Sequence, residues 1–260
     1  MRIFYSEVGR GSGTFSFAYY PTALLEPGDR LADLYQAGFL PFSTLDHDRV
    51  GNFFMARQVR IDLGRFELSS ENRRVYEKFS GKLEGSDVPI AEFNTHDRDF
   101  VKFCLDYFTE RHGPEVMPEE RLRFMLDGGL LNKISVYRFN GRPFGTAPLD
   151  KTRDKQDRPV AYVFLVDFGE SGAHFWYSFY DLAYVQQSLG LWLMTDVALR
   201  MQRGGKQYLY LGTAFGEKGL YKTNFEQIEW WDGECWNPSR DKLRKRCKTD
   251  DERFLGLTNK

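Results

Sequence analysis

The chain has 260 residues, of which 42% are hydrophobic, and its 36 Lys and Arg nearly balance its 37 Asp and Glu. The net charge of -1 argues against a generally basic coat protein for nucleic acid and against an acidic disordered tail, while the hydrophobic fraction supports a sizeable core. The longest apolar run, residues 159–166, is too short to span a bilayer, and residues 1–13 lack the apolar core of a secretory signal.

Helices dominate the predicted elements between residues 31 and 128. Apolar residues at a period near 3.6 indicate each helix, and capping or turn residues mark its ends; Ser69 or Ser70 begins one helix and Gly113 ends another. The predicted helices cover residues 31–37, 71–79, 95–113 and 118–128. Residues 52–63 are rich in Phe, Val and Ile and alternate polar and apolar towards their end, which predicts a strand.

From residue 133 the hydrophobic period changes to two, which is typical of strands. Asn140-Gly141 is a strong hairpin signal, and residues 169–172 have the composition of a turn. The predicted strands cover residues 134–139, 158–168, 174–180, 207–211 and 228–231, with a long helix at 184–201 and a short turn or helix at 221–225. A strand, a helix and a further strand here make a right-handed βαβ unit, so we expect an α+β fold with a largely antiparallel sheet and one crossover helix.

Cysteine and histidine usage indicates a reducing compartment without a metal centre. Cys104, Cys235 and Cys247 form no CxxC pair, and the four histidines show neither HxH nor HExxH spacing. We therefore predict a cytoplasmic protein with neither a disulfide framework nor a thiolate or histidine metal site.

Three segments, in order along the chain, resemble the arginyl-tRNA–protein transferase family and its bacterial leucyl-transferring relatives, the aminoacyltransferases of the N-end rule. They are residues 59–75, 178–199 and 207–225. The residues that carry the resemblance are Arg60, Asp62, Phe66, Ser69, Arg73 and Arg74 in the first segment, Tyr180, Asp181, Ser188 and Gly190 in the second, and Tyr210, Lys218, Tyr221 and Lys222 in the third.

The sequence departs from the family pattern at several positions. The family carries cysteine clusters near its N-terminus and just before the first segment, whereas this chain has no cysteine before Cys104, so we expect no cofactor and no metal. Gln187 replaces the usual Arg, and Gly219 replaces a Met. The spacing Gln187-x-x-Gly190 also resembles half of the pyrophosphate loop of GNAT acyltransferases, although Trp192 stands where that loop has a small residue.

The resemblance implies a GNAT-like fold, with a mixed, largely antiparallel sheet flanked by helices and a smaller N-terminal α+β segment. We expect an N-terminal domain over residues 1–90 that lacks the cysteine cluster, a GNAT-like aminoacyltransferase domain over residues 91–236 and a basic tail over residues 237–260. The implied enzyme moves arginine or leucine from a charged tRNA to the N-terminal amine of a protein, which marks that protein for degradation. Its expected partners are aminoacyl-tRNA and the acceptor protein, with no membrane association and a monomeric state.

The resemblance also suggests roles for individual residues. Asp181 would handle the proton of the acceptor amine or bind its ammonium form, and Tyr180 would assist at the same strand end. Ten further residues would contact the substrate or tRNA: Gln187, Ser188, Gly190, Tyr210, Lys218, Tyr221, Lys222, Arg60, Arg73 and Arg74.

Structural explanations for the same residues stay open. Asp181 also suits the N-cap of a helix, Tyr180 and Tyr210 suit an aromatic core, and Gln187 and Ser188 suit a helix's first turn. Lys218 and Lys222, four residues apart, also fit a solvated helix face, and the arginines fit an ion-pair network. Residues 240–248 carry six cations and one acid, which predicts either a tRNA contact or a solvated terminal helix.

Two other functions stay open as well. An acyl-CoA-dependent N-acyltransferase fits the GNAT-like features, although a bulky Trp192 would crowd the pyrophosphate. A catalytically inactive homologue that binds tRNA or peptide fits the missing cysteines and the Gln187 replacement.

Overall fold

The computed structural model describes residues 1–9, 17–43, 52–140 and 158–258. Its N-terminal region is a small antiparallel sheet of four strands in the order β1-β2-β4-β3, with one short helix. These elements are β1 (Arg2–Gly9), β2 (Phe17–Leu24), α1 (Leu31–Gln36), β3 (Phe39–Pro41) and β4 (Asn52–Met55). Gly38 ends α1 with a φ of +85°, and a Cβ at this position would collide with the Trp231 ring at 2.3 Å.

The rest of the described chain builds an eight-stranded sheet with helices packed against it. In chain order its elements are β5 (Gln58–Asp62), α2 (Ser70–Phe79), β6 (Leu83–Pro89), α3 (Arg98–His112), α4 (Glu119–Asp127), β7 (Lys133–Phe139), β8 (Ala161–Asp167), β9 (Gly172–Tyr180), α5 (Leu189–Arg203), β10 (Tyr208–Thr213), β11 (Ile228–Trp231), β12 (Trp236–Asn237) and α6 (Arg240–Thr258). The strand order is β12-β11-β5-β10-β9-β8-β7-β6.

Neighbouring strands of this sheet are antiparallel except for β9 and β10, which are parallel and joined by the crossover helix α5. The expected βαβ unit is therefore present, and a largely antiparallel sheet flanked by helices confirms the predicted fold class. The same unit positions the candidate site, which lies where the pairing of β9 with β10 stops, at His174 and Tyr210.

Large aromatic side chains fill the core between α2, α5 and the sheet. Trp192 on α5 is 1% exposed, stacks on Tyr76 at 5.8 Å and donates its indole N–H to the carbonyl of the same residue. Tyr137 on β7 packs edge-on against this indole and is fully buried. Each such side chain contributes about 1.5–3 kcal/mol through burial. Trp192 therefore belongs to the core, and the expectation that it would crowd a pyrophosphate at the start of the helix is wrong.

Local signals located the predicted helices well. Ser69 accepts a hydrogen bond from the backbone N–H of Asn72 and caps α2, and Gly113 follows the last residue of α3. The third predicted helix begins later than expected, because Asp97 and not Thr95 accepts from Phe100 N–H as the N-cap.

The long helix expected at residues 184–201 is two elements. A 3₁₀ turn covers Leu182–Gln187, and α5 begins only at Leu189. Ser188 between them has a φ of 64°, a left-handed conformation that interrupts the helical ladder.

The strand expected at residues 52–63 is also two elements, because β4 belongs to the small sheet and β5 to the large one. The patterns further missed β1, β2, β3, β6 and β12. Pro21 in β2 looked like a turn residue but lies one residue before the pairing with β4 begins, where its missing N–H costs nothing. Among the described strands, β6 is a polar edge strand whose one partner is β7. Gly141 of the hairpin signal lies outside the described residues.

In the eight-stranded sheet, β5 and β6 are formed by residues before residue 90, and β7 to β12 are formed by residues after it. The division of the chain at residue 90 stays a prediction. Among the described residues no helix combines the length and apolarity that crossing a bilayer requires.

Candidate active site in the gap between two parallel strands

Two irregularities open a gap between β9 and β10. The strands pair as far as Tyr210 opposite His174 and then diverge. On β9 the register with β8 shifts by one, which leaves Trp176 as the extra residue of a bulge. On β10, Gly212 has a φ of +75°, and the register with β5 shifts between Tyr210 and Thr213. Because a bulge bends its strand and interrupts its ladder, these two irregularities account for the separation of β9 and β10.

Lys222 reaches this gap from the loop after β10, in which the expected short helix is present as a 3₁₀ helix over Glu217–Asn224. The residue is 8% exposed, and its ammonium donates to the carbonyl oxygen of Thr213. A Cβ on Gly212 would lie 3.7 Å from Lys222 Nζ and 3.6 Å from His174 Nε2, so both nitrogen atoms lie beside the same point of β10. Burial lowers the pKa of Lys222 to about 8. Most of the Lys222 side chains therefore carry the ammonium form at neutral pH, and the pH of half-titration lies only about one unit higher.

His174 supplies a second nitrogen at the gap. The residue is 3% exposed, and its Nδ1 lies 2.9 Å from the hydroxyl of Tyr35 on α1. Burial, and then the charge of Lys222, lower the pKa of His174 to about 3, so the ring is neutral.

The hydrogen bond with Tyr35 assigns the tautomer of His174. Tyr35 is fully buried, and burial raises its phenol pKa well above the usual range, so this phenol keeps its proton. Because a buried O–H needs an acceptor, Tyr35 donates to Nδ1 and the ring proton of His174 lies on Nε2. The gap thus holds an ammonium and an imidazole N–H side by side, which is an arrangement that stabilises a developing oxyanion.

Asp181 lies at the end of β9, where it acts as an N-cap. Its Oδ1 accepts a hydrogen bond of 2.9 Å from the backbone N–H of Ala183, and its side chain is exposed. It borders an open cleft of about 410 Å³ between α3 and the end of β9. The acidic residues of this cleft are Asp99, Asp106, Glu110 and Asp181. The cap is consistent with the structural explanation, and the catalytic role of Asp181 stays a prediction.

Tyr180 forms one wall of the cleft and packs closely against its neighbours. Its ring lies 4.8 Å from that of Tyr107, and a Cβ on Gly190 would lie 2.9 Å from its hydroxyl. Tyr221, which is 45% exposed, lies near enough to Tyr180 for the two phenols to interact electrostatically. Tyr180 therefore lies between the cleft, the start of α5 and the loop that carries Lys222.

Gln187 and Ser188 lie between the 3₁₀ turn and α5. The backbone carbonyl of Gln187 accepts from Lys78 Nζ at 3.4 Å. The buried Oε1 of Gln187 has no partner among the described residues. Ser188 makes no capping hydrogen bond. Their predicted contacts to substrate remain predictions.

Tyr210 and Arg60 are placed in the interior. Tyr210 is 2% exposed and packs 5.0 Å from Tyr35. The guanidinium of Arg60 lies between the rings of Tyr208 and Trp236, at 3.7 Å and 3.9 Å, and forms an ion pair of 2.7 Å with Glu229. These contacts support a structural role for both residues.

The remaining cations of the predicted site are exposed. Lys218 lies on the same loop as Lys222, whereas Arg73 and Arg74 lie on α2. Arg74 is engaged by Glu71 in an exposed ion pair of 2.7 Å. Of the predicted residues, the structure brings Tyr180, Gly190 and Tyr221 together and places Lys222 in the gap; Arg73 and Arg74 belong to a different element.

His174 and Tyr35 were missed by the sequence analysis. His174 begins a strand whose other residues are mostly aromatic, so its pattern is that of a core strand, and Tyr35 fits the apolar face of a short helix. Only the separation of β9 and β10 marks His174 as a site residue. Among the described residues no group of three or more His, Cys, Asp or Glu side chains is placed to hold a metal ion.

A parallel strand pair that separates at a bulge and is joined by a crossover helix is the arrangement expected of a GNAT-like fold. The family model described as "Arginine-tRNA-protein transferase, C terminus" matches residues 75–232, and the chain belongs to this family of aminoacyltransferases. The family and the enzyme class expected from the sequence are thereby confirmed.

Curated relatives are consistent with this assignment. The aspartate/glutamate leucyltransferase of Hyphomonas neptunium is 25% identical over 191 residues, which cover 71% of this chain and 69% of the relative. The enzyme of the same name from Dinoroseobacter shibae is 34% identical over 189 residues, which cover 70% of this chain and 62% of the relative. The chain thus spans less than two thirds of the second relative's length.

Solved structures with a similar chain path have low sequence identity. A GCN5-related glucosamine N-acetyltransferase region of a fungal GH3 β-N-acetylglucosaminidase is 12% identical, with a TM-score of 0.43, and the match covers 86% of this chain and 24% of that one. The C-terminal domain of a lysylphosphatidylglycerol synthetase from Agrobacterium fabrum, whose assignment is provisional, is 15% identical, with a TM-score of 0.43, and covers 66% and 50%.

Proposed function

We propose that this protein transfers leucine from the 3′ ester of leucyl-tRNA to the N-terminal amine of proteins that begin with Asp or Glu, in the cytoplasm. The observation that carries the proposal is that the matched family region, residues 75–232, contains the gap in which Lys222 and His174 meet. The names of the relatives favour leucine as the transferred residue.

The groups in the gap suit attack of an amine on an ester. The acceptor amine adds to the ester carbonyl carbon, and the resulting oxyanion accepts hydrogen bonds from His174 Nε2–H and the Lys222 ammonium. The bond from carbon to the 3′ oxygen then breaks, and Lys222 donates a proton to the departing oxygen. The proton that the attacking nitrogen loses passes to the neutral Lys222 amine, which restores the ammonium. An α-amine has a pKa near ~8, so a fraction of it is already unprotonated at pH 7.

The cleft beside Asp181 is our candidate route for the acceptor. Its four acidic side chains outnumber its two cations, Lys102 and Arg158, and among the described residues only Asp106 is paired with Lys102, so the remaining acids favour the positively charged end of a peptide. Tyr180 separates the cleft from the loop of Lys222. Asp181 would hold the ammonium before it loses its proton, which is the role proposed from the sequence.

A transfer assay with matched donors and acceptors tests the proposal. Purified protein is incubated with leucyl-tRNA or arginyl-tRNA and peptides that begin with Asp, Glu, Arg or Lys, and the products are identified by mass spectrometry. We expect leucine on the Asp and Glu peptides, loss of transfer in Lys222→Met, and normal transfer in the exposed-lysine control Lys82→Met. The proposal is refuted if neither tRNA donates its amino acid to any of the peptides.

An acyl-CoA donor is tested in the same assay. The buried position of Trp192 removes the steric argument against coenzyme A, so acetyl-CoA with the same peptides forms a further arm. Acetylated peptide, together with no reaction from charged tRNA, would establish the N-acyltransferase instead. Binding of tRNA without any product would identify an inactive homologue.

A further inference from the structure

The C-terminal helix α6 has one buried apolar edge and one strongly basic exposed face. Leu243 and Cys247, four residues apart, are fully buried. The cations on the opposite, exposed face are Lys242, Lys245, Arg246 and Lys248. Asp241 is an exposed acid at the start of this helix and lies 3.9 Å from Arg244. Among the carboxylates before residue 251 whose side chains the structure describes, none forms an ion pair with Lys242, Lys245 or Lys248.

Hydrogen bonds hold α6 against the loop that carries Lys222. Arg244 donates to the side-chain and backbone oxygens of Thr223 at 3.0 Å and 3.2 Å. The carboxylate of Asp250 accepts from the backbone N–H of Gly216 at 3.0 Å and pairs with Arg57. Because Thr223 adjoins Lys222, the basic face of α6 keeps a fixed position relative to the gap.

We propose that the exposed basic face of α6 binds the phosphate backbone of a tRNA acceptor arm and directs its 3′ end towards Lys222. The identity of the RNA rests on the proposed function. A concentration of exposed cations in a chain of net charge -1 marks a local anionic partner, and phosphates displace counterions from such a surface.

Exposed aromatic side chains on the same loop favour a nucleic acid over an acidic protein. Phe215 and Tyr221 are 49% and 45% exposed, whereas most of the aromatic residues whose side chains the structure describes are buried. The guanidinium of Arg57 lies 4.3 Å from the Phe215 ring. Unpaired bases stack on aromatic rings of this kind, and an acidic peptide gains nothing from them. The loop thus offers stacking surfaces between the basic helix and the gap.

The test compares two triple variants that remove the same charge. One carries Lys242→Gln, Lys245→Gln and Lys248→Gln; the control carries Arg30→Gln, Lys82→Gln and Arg203→Gln, three exposed cations on other elements. Affinity for uncharged tRNA is measured by fluorescence anisotropy from 50 to 300 mM salt. We expect the α6 variant to bind about tenfold or more weakly at 0.15 M salt, with the slope of log affinity against log salt reduced by about 2–3, and the control to change far less.

Two further measurements separate the possible outcomes. Turnover by the α6 variant is compared with turnover by the parent for two donors, leucyl-tRNA and a leucylated CCA trinucleotide, which has no acceptor stem. The loss with leucyl-tRNA should exceed the loss with the trinucleotide by at least about tenfold. The proposal is overturned if the α6 variant binds tRNA as tightly as the parent does. It is also overturned if the α6 variant loses binding to polyglutamate but still binds tRNA. If no donor turns over in the parent, the proposed function fails, but the anisotropy comparison still decides the role of α6. Circular dichroism checks folding, and the Lys→Arg triple variant should retain tRNA affinity.

Discussion

At the scale of single residues, Lys222 links the stability of the fold to the proposed chemistry. Burial lowers its pKa from an ordinary value of 10.5 to about 8, so between these pH values the unfolded chain binds more protons than the folded one. Retention of the charge in the folded state therefore costs stability at neutral pH, and this cost fades as the pH rises through 10.5. A buried cation kept at such a cost is typical of a functional site.

Replacement of Lys222 by Met should abolish transfer and stabilise the fold. We expect a gain of about 2–3 kcal/mol in the free energy of unfolding at pH 7, because each pKa unit corresponds to about 1.4 kcal/mol and one hydrogen bond is lost. Urea unfolding at pH 7 and pH 10.5 measures the gain and its decrease with pH. A loss of stability at pH 7 would show that the ammonium holds the loop in place and would contradict this account.

His174 should make the protein sensitive to acid. Its folded pKa of about 3 lies below the ordinary value of 6.5, so its contribution to stability is complete above pH 6.5 and decreases as the pH falls towards 3. We expect His174 alone to account for a loss of roughly 2.5 kcal/mol between pH 7.5 and pH 4.5. His174→Gln keeps an acceptor for Tyr35 and a donor for the gap but does not titrate. Urea unfolding at both pH values should show a smaller loss in the variant; the same loss in both proteins would exclude His174 as the cause.

At the scale of elements, the start of α5 is shaped by the contact between Gly190 and Tyr180. A Cβ at residue 190 would lie 2.9 Å from the Tyr180 hydroxyl and about as close to its ring. Because Tyr180 is 8% exposed and packed against Tyr107, its ring has little room to move. The glycine thus allows the end of β9 and the start of α5 to approach each other beside the gap.

Gly190→Ala should destabilise the protein by about 1–2 kcal/mol through overpacking, against a small gain in helix propensity. Thermal unfolding measures this effect, and the transfer assay shows whether displacement of Tyr180 slows turnover. The double variant Gly190→Ala with Tyr180→Phe, which removes the hydroxyl at the closest contact, should recover some of the lost stability. No recovery would place the strain elsewhere.

Elements with local signals could be predicted from the sequence, and elements defined by distant partners could not. Ser69 caps α2, and Gly113 follows α3, because these signals act within one turn. The strand at residues 52–63 looked continuous, but its halves join different sheets, which depends on partners far along the chain. In the site, the motif spacing identified Lys222, whereas His174 becomes a site residue only because a bulge and Gly212 separate β9 from β10.

At the scale of the whole molecule, the small sheet and the large sheet meet at the candidate site. Tyr35 from α1 hydrogen-bonds His174 and packs against Tyr210, and Trp236 from β12 donates to the backbone carbonyl of Gln36. The N-terminal elements thus cover one side of the gap and set the tautomer of its histidine. Charge is also unevenly distributed, since a chain of net charge -1 carries a basic helix next to the gap.

Fragments can test where the independently folding unit begins. β5 lies between β11 and β10 inside the large sheet, and its Val59 and Ile61 are fully buried. A fragment of residues 91–258 lacks this strand, which would leave two rows of backbone groups unpaired. We expect residues 57–258 to unfold cooperatively in urea but with reduced stability, because the cover over Tyr210 and His174 is gone, and residues 91–258 to show no cooperative transition. Cooperative unfolding of the shorter fragment, measured by circular dichroism, would instead support a domain that begins at residue 91.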